Sequence, residues 1–157
     1  MRNTRVIVAM VTIAIAGLGL GVAAQQKPAA AAAQKITVYK TASCGCCRLW
    51  VDHLKASGFD VQAMDVSSDD VRAVSKAAGL KDEDTSCHTA KIGNYVVEGH
   101  VPADDIKRML KEKPAIAGIA APGMPQGSPG MDQGSKEPYD VVAFTKDGKT
   151  TVYAKHK

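Results

Sequence analysis

The stretch Ser43-Cys44-Gly45-Cys46-Cys47 constrains this chain more than any other, because it gathers three of the four cysteines within four residues. It lies between a β-like run, Ile36-Thr37-Val38-Tyr39, and a helix-like run from Arg48 to Ala56. A Cys-x-x-Cys pair, Cys44 and Cys47, therefore falls on a strand-to-helix turn, where free N–H groups and the helix dipole favour thiolates. The fourth cysteine stands far off in Ser86-Cys87-His88-Thr89.

Geometry narrows what these sulfurs can do. Neighbouring Cα atoms lie about 3.8 Å apart, below the ~4.4 Å lower limit of an ordinary disulfide. A Cys46–Cys47 bond would thus be strained, and Cys44–Cys46 is tight as well. Cys44–Cys47 is the natural redox pair, which leaves Cys46 and Cys87 to find each other or a metal. Successive helical residues point about 100° apart, so one tetrahedral ion suits the three clustered thiolates poorly. Thiolates bridging several ions relieve this and predict a multinuclear site. Thiolates with thioether and imidazole nearby suit Cu(I) best and zinc second.

The first two dozen residues stand outside the packed domain. Arg2 and Arg5 precede the uncharged apolar run Val6 to Leu20, and Val22-Ala23-Ala24 supplies small residues for cleavage. Residues 1–24 read as a secretory signal peptide, with an uncleaved N-terminal anchor as the alternative, since the run almost reaches spanning length. An exported compartment is oxidising, so thiols there are disulfide-bonded, redox-active or metal-bound. Loss of Arg2 and Arg5 with the leader lowers the formal net charge from +4 to +2. No Lys/Arg cluster remains, which argues against a nucleic-acid partner, and no membrane span is expected after cleavage.

The order of elements follows from periodicity. Residues 25–34, rich in Ala and Gln, form a flexible linker, and 35–157 form one domain. Lys35 to Tyr39 is a strand, and Cys47, Trp50, Val51 and Leu54 make the apolar face of the first helix. Phe59 to Val66 is a second strand, followed by a helix capped by Ser67 or Ser68, with Val71, Val74 and Ala78 inward. Gly93-Asn94 joins a hairpin. A third helix begins near Pro102, buries Ile106, Met109 and Leu110, and stops at Pro114. The order β-α-β-α-β-β-α is that of a thioredoxin-like α/β sandwich. Ile116 to Pro138, rich in Gly and Pro and bearing Met124 and Met131, is expected to hold neither regular helix nor central strand. Tyr139 to Thr145 and Thr150 to Ala154 read as a C-terminal hairpin.

Four motifs in order carry a family resemblance: Cys-Gly-Cys-Cys, Ser-Cys-His-Thr, the run Tyr95-Val96-Val97-Glu98-Gly99-His100-Val101-Pro102, and the loop Pro-Gly-Met-Pro-x-Gly-Ser-Pro-Gly-Met. Over Lys35 to the C-terminus the chain resembles the CopG-like copper-resistance family, a periplasmic family long described as a domain of unknown function. The resemblance implies a thioredoxin-like fold and a periplasmic role in copper handling, including interconversion of Cu(I) and Cu(II). It places copper on Cys44, Cys46, Cys47 and Cys87, polynuclear in some members, with His88, Met124 and Met131 as weaker ligands. Thioredoxin's cis-proline is replaced here by the Cys87-His88 segment, which disfavours plain disulfide exchange.

Other readings stand beside these. A thiol–disulfide oxidoreductase would use Cys44 with Cys47 resolving, and a copper chaperone would dock on an efflux or storage partner through the Gly/Pro/Met loop. In an extended segment His88 would diverge from Cys87. His100 reads as a loop histidine, with metal ligation as its alternative, His53 as solvated, Met64 and Met109 as core, and Trp50 as core beside the cysteine turn.

Overall fold

The computed structural model describes residues 33–132 and 134–157. The expected leader, and the linker as far as residue 32, lie outside them. The described chain is a mixed α/β fold with a seven-stranded sheet and three α-helices. The elements are β1 (Lys35–Lys40), α1 (Gly45–Ala56), β2 (Asp60–Asp65), α2 (Ser68–Ala77), β3 (His88–Ile92), β4 (Tyr95–Gly99), α3 (Ala103–Glu112), β5 (Gly118–Ala121), β6 (Tyr139–Phe144) and β7 (Thr150–His156). The sheet order is β2-β1-β3-β4-β5-β6-β7. β1 runs parallel to β2 and antiparallel to β3, and β4 runs parallel to β5.

Alternation of side chains across the strands divides the interior into two clusters. Trp50, Val51 and Leu54 of α1 and Ala103, Ile106 and Met109 of α3 share one cluster with Ile36, Val38, Val97 and Ile119. Val96, Ala120 and Phe144, each next to a residue of the first cluster, form the second with Leu80 and Ala117. Trp50 is fully buried, and its indole N–H donates to the Val101 carbonyl at 2.8 Å. Burying such a side chain is worth about 3 kcal/mol, and here it ties α1 to the entry of α3.

β5 corrects the expectation for the Gly/Pro-rich segment. Gly118-Ile119-Ala120-Ala121 is a wholly buried strand between β4 and β6. Small residues are required there, since a Cβ on Gly118 would lie 1.9 Å from the Val96 carbonyl oxygen. Burial on both faces removes the polar alternation that marks a strand in sequence. β2 departs in the opposite sense. It is an edge strand, where Ala63 is exposed and Val61 only partly covered, and Met64, read as core, is 40% exposed.

Candidate metal centre

β1 and α1 deliver the cysteine turn. Cys44 caps α1, its backbone N–H donating to Thr41 O at 3.2 Å and its sulfur accepting the Cys47 N–H at 3.3 Å. That cap position turns the Cys44 side chain back toward Cys47, and the two are joined as a disulfide. Cys46 and Cys87 are free. Cys46 Sγ stands 3.5 Å from Cys44 Sγ and 3.9 Å from Cys87 Sγ, while Cys87 Sγ lies 3.4 Å from Cys47 Sγ. The fold thus brings the four sulfurs together, with one pair oxidised.

Two histidines complete the group. His88, first residue of β3, is fully buried with its ring 4.4 Å from that of Trp50. Its Nδ1 lies 3.4 Å from Cys87 Sγ, and its Nε2 has no hydrogen-bond partner. The expected divergence from Cys87 is therefore not observed: Cys87 precedes β3, so the strand's alternation does not govern it. His100, also fully buried, holds Nδ1 2.8 Å from Pro129 O. A carbonyl only accepts, so Nδ1 carries the proton and Nε2 turns its lone pair toward Cys87 Sγ at 3.4 Å. An imidazole so anchored is the usual form of a metal ligand. The sequence reading put the loop histidine ahead of the ligand for His100; its burial and its approach to Cys87 favour the alternative.

Two groups of side chains have the spacing to hold an ion, Cys44/Cys46/Cys47/Cys87 and Cys87/His88/His100, and Cys87 belongs to both. The unpartnered buried Nε2 of His88 and the soft donor set fit such an occupant. Burial keeps both imidazoles neutral: the His88 pKa is pushed down to about 3, with His100 adding to the effect, and that of His100 is lowered too. Burial, and next the charge of Cys46, push the Cys87 thiol up to about 12. The thiolates expected of Cys44 and Cys47 at the start of α1 are instead joined in a disulfide, and the Cys87 thiol is one that a bound cation would have to deprotonate.

The Gly/Pro/Met loop packs against this turn. A Cβ on Gly130 would lie 2.8 Å from Cys46 O and 2.9 Å from Trp50 N, and the residue has φ +85°. Met131 and Cys46 both line a groove of about 550 Å³ with Arg48, Leu49 and Gln126. Met124 is 52% exposed and does not line it. The loop methionines therefore differ in position.

Glu98, which sequence reasoning passed over, is fully buried behind the Cys87 segment. Its carboxylate accepts the Ser86 N–H at 2.7 Å and the hydroxyls of Ser75 and Thr89. Burial raises its pKa, and these bonds offset part of the rise. His53, read as solvated, accepts the Ala103 N–H at 3.1 Å and so caps α3.

Fold and site together define an α/β protein with a partly oxidised thiol–imidazole cluster of metal-binding type. A family profile described as "Protein of unknown function, DUF411" matches residues 85–131. Two solved structures are similar. "Copper resistance protein copG- Form 1" has 42% identity and a TM-score of 0.73, the match covering 79% of this chain and 98% of that one. For "Copper resistance protein copG- Form 2" the values are 43% and 0.72, over 80% and 99%. No curated protein matches. The chain belongs to the CopG-like copper-resistance family.

Proposed function

We propose that this is an exported copper-binding protein that holds Cu(I) in the periplasm as part of copper resistance. The observation that carries the reading is the position of Cys87, whose sulfur stands 3.4 to 3.9 Å from those of Cys47 and Cys46 and beside two neutral imidazoles. Thiolate and imidazole donors accept copper or zinc, and the Met131 thioether beside Cys46 tips the balance toward Cu(I). The ligands proposed are Cys44, Cys46, Cys47 and Cys87, then His88 and His100, with Met131 ahead of Met124. A sulfur shared by two ligand groups supports a multinuclear arrangement. The order β2-β1-β3-β4, with β3 antiparallel to β1, supports a thioredoxin-like core. Residues 1–24 are proposed as the export leader and 25–34 as a linker to the domain 35–157. Among the described residues no helix is long and apolar enough to cross a membrane.

The experiment is copper counting. The mature chain is reduced, loaded with Cu(I) under anaerobic conditions and desalted, and copper is measured per chain beside Cys46→Ser and Cys87→Ser. Retention of Cu(I) by the unsubstituted chain and its reduction in both variants are expected. A chain that retains none overturns the reading.

The Cys44–Cys47 bond favours a second reading, a thiol–disulfide oxidoreductase. It predicts insulin reduction by the metal-free chain, undiminished in Cys46→Ser. A chaperone passing copper to an efflux or storage partner would share the metal site and differ in having a partner-dependent transfer rate.

A further inference from the structure

We propose that Glu98 is a positioning residue for the sulfur cluster, and that with Gly99 and His100 it forms a clasp that sets where the Cys87 thiol stands. The purpose of the clasp rests on the metal-binding reading, whereas its geometry does not. The last two residues of β4, Glu98 and Gly99, and His100 just beyond it grip the chain around Cys87. Glu98 accepts the N–H of Ser86, the amide just before Cys87, at 2.7 Å. The same carboxylate accepts the Thr89 hydroxyl, so one side chain holds a backbone amide before Cys87-His88 and a side chain after it. Gly99 approaches so closely that a Cβ there would lie 2.8 Å from Ser86 Cβ and 2.6 Å from Ala121 O. His100 then meets the Cys87 sulfur at 3.4 Å.

A carboxylate is a costly choice for this place. Glu98 is fully buried, and among the described residues none of the ion pairs includes it. Burying it without a cation is unfavourable unless hydrogen bonds replace its lost water. Its neighbours Val96 and Val97 show that this strand otherwise buries aliphatic side chains. The donors it gathers account for the exception. Ser75 of α2 donates at 2.9 Å to the same carboxylate oxygen that Thr89 reaches, and so holds that oxygen from a third element. Ser86 and Thr89 are the two flanks of the candidate ligands.

The test uses the metal-free chain with the Cys44–Cys47 bond intact, alkylated by iodoacetamide, with Cys46 and Cys87 followed separately by peptide mass. Glu98→Gln keeps the length and an acceptor for Ser86. Glu98→Asp keeps the charge but is one methylene short, and Glu98→Leu removes the acceptor. In the Asp and Leu variants Cys87 should react about tenfold faster, while Cys46 on α1 stays within about twofold and Gln remains near the unsubstituted chain. Unchanged Cys87 reactivity in Glu98→Asp overturns the proposal, and so does an equal rise at both cysteines, which marks general loosening. Should the Leu variant fail to fold, the Asp and Gln pair decides. After reduction, Cu(I) per chain should fall in Glu98→Asp to the level of Cys87→Ser and recover in Glu98→Gln. If the unsubstituted chain holds no Cu(I), the metal reading fails and the alkylation rates still judge the clasp.

Discussion

The sulfurs of Cys47 and Cys87 lie 3.4 Å apart although 40 positions separate them in the chain. Cys47 is also bonded to Cys44, and a disulfide sulfur is a poor donor to a metal. Opening that bond takes two electrons and two protons from a thiol reductant and yields two thiols. The reduced chain should therefore bind more Cu(I) than the oxidised chain, in which only Cys46 and Cys87 are free. Competition against a coloured Cu(I) chelator measures both forms, and equal capacities would exclude Cys44 and Cys47 as ligands.

The two loop methionines should behave differently. Met131 shares a groove with Cys46, and Met124 does not. Met131→Leu is expected to weaken Cu(I) binding by about 1 kcal/mol, roughly fivefold. Met124→Leu should leave the chelator competition curve where it was.

Gly130 holds the loop to α1. Alanine there would meet Cys46 O and Trp50 N below 3.0 Å in a left-handed backbone conformation. Gly130→Ala should destabilise the domain by about 1–3 kcal/mol in urea unfolding. If the loop relaxes to accept it, Met131 leaves the groove, and copper affinity falls as in Met131→Leu.

His53 gives the domain a pH dependence of defined sign. Its pKa is held below the ordinary 6.5, chiefly by burial, and its Nε2 accepts the Ala103 N–H. Above pH 6.5 the ring is neutral in both folded and unfolded chains, and its contribution is complete. As pH falls below that value the unfolded chain takes up the proton first, and stability is lost until the folded ring protonates as well. The melting temperature should drop between pH 7.5 and about 5, and His53→Gln, which keeps an acceptor, should flatten part of the slope.

Much of this fold was legible because local rules and packing agree. Cys47, Trp50, Val51 and Leu54 repeat at helical spacing and are all buried. Ser67 caps α2 through its hydroxyl, and Gly93-Asn94 joins β3 to β4. The convergence of the cysteines could be argued from their clustering and the oxidising compartment expected for the chain. What escaped depends on long-range placement. β5 is made of residues too small to show a period, His100 needs Pro129 to become a directed donor, and Glu98 looks like any strand carboxylate until Ser75, Ser86 and Thr89 surround it. Lys113 holds a left-handed backbone (φ 50°) at the end of α3, where the sequence shows only Pro114 as a stop.

One atom, Cys87 Sγ, belongs to both ligand groups of the centre. A thiolate that gives electron density to an ion on its cysteine side has less to offer an ion on its histidine side, while the first ion also removes the proton that would oppose the second. The two halves would then not fill as independent compartments. Their occupancies would be thermodynamically linked, each changing the affinity of the other by the same factor.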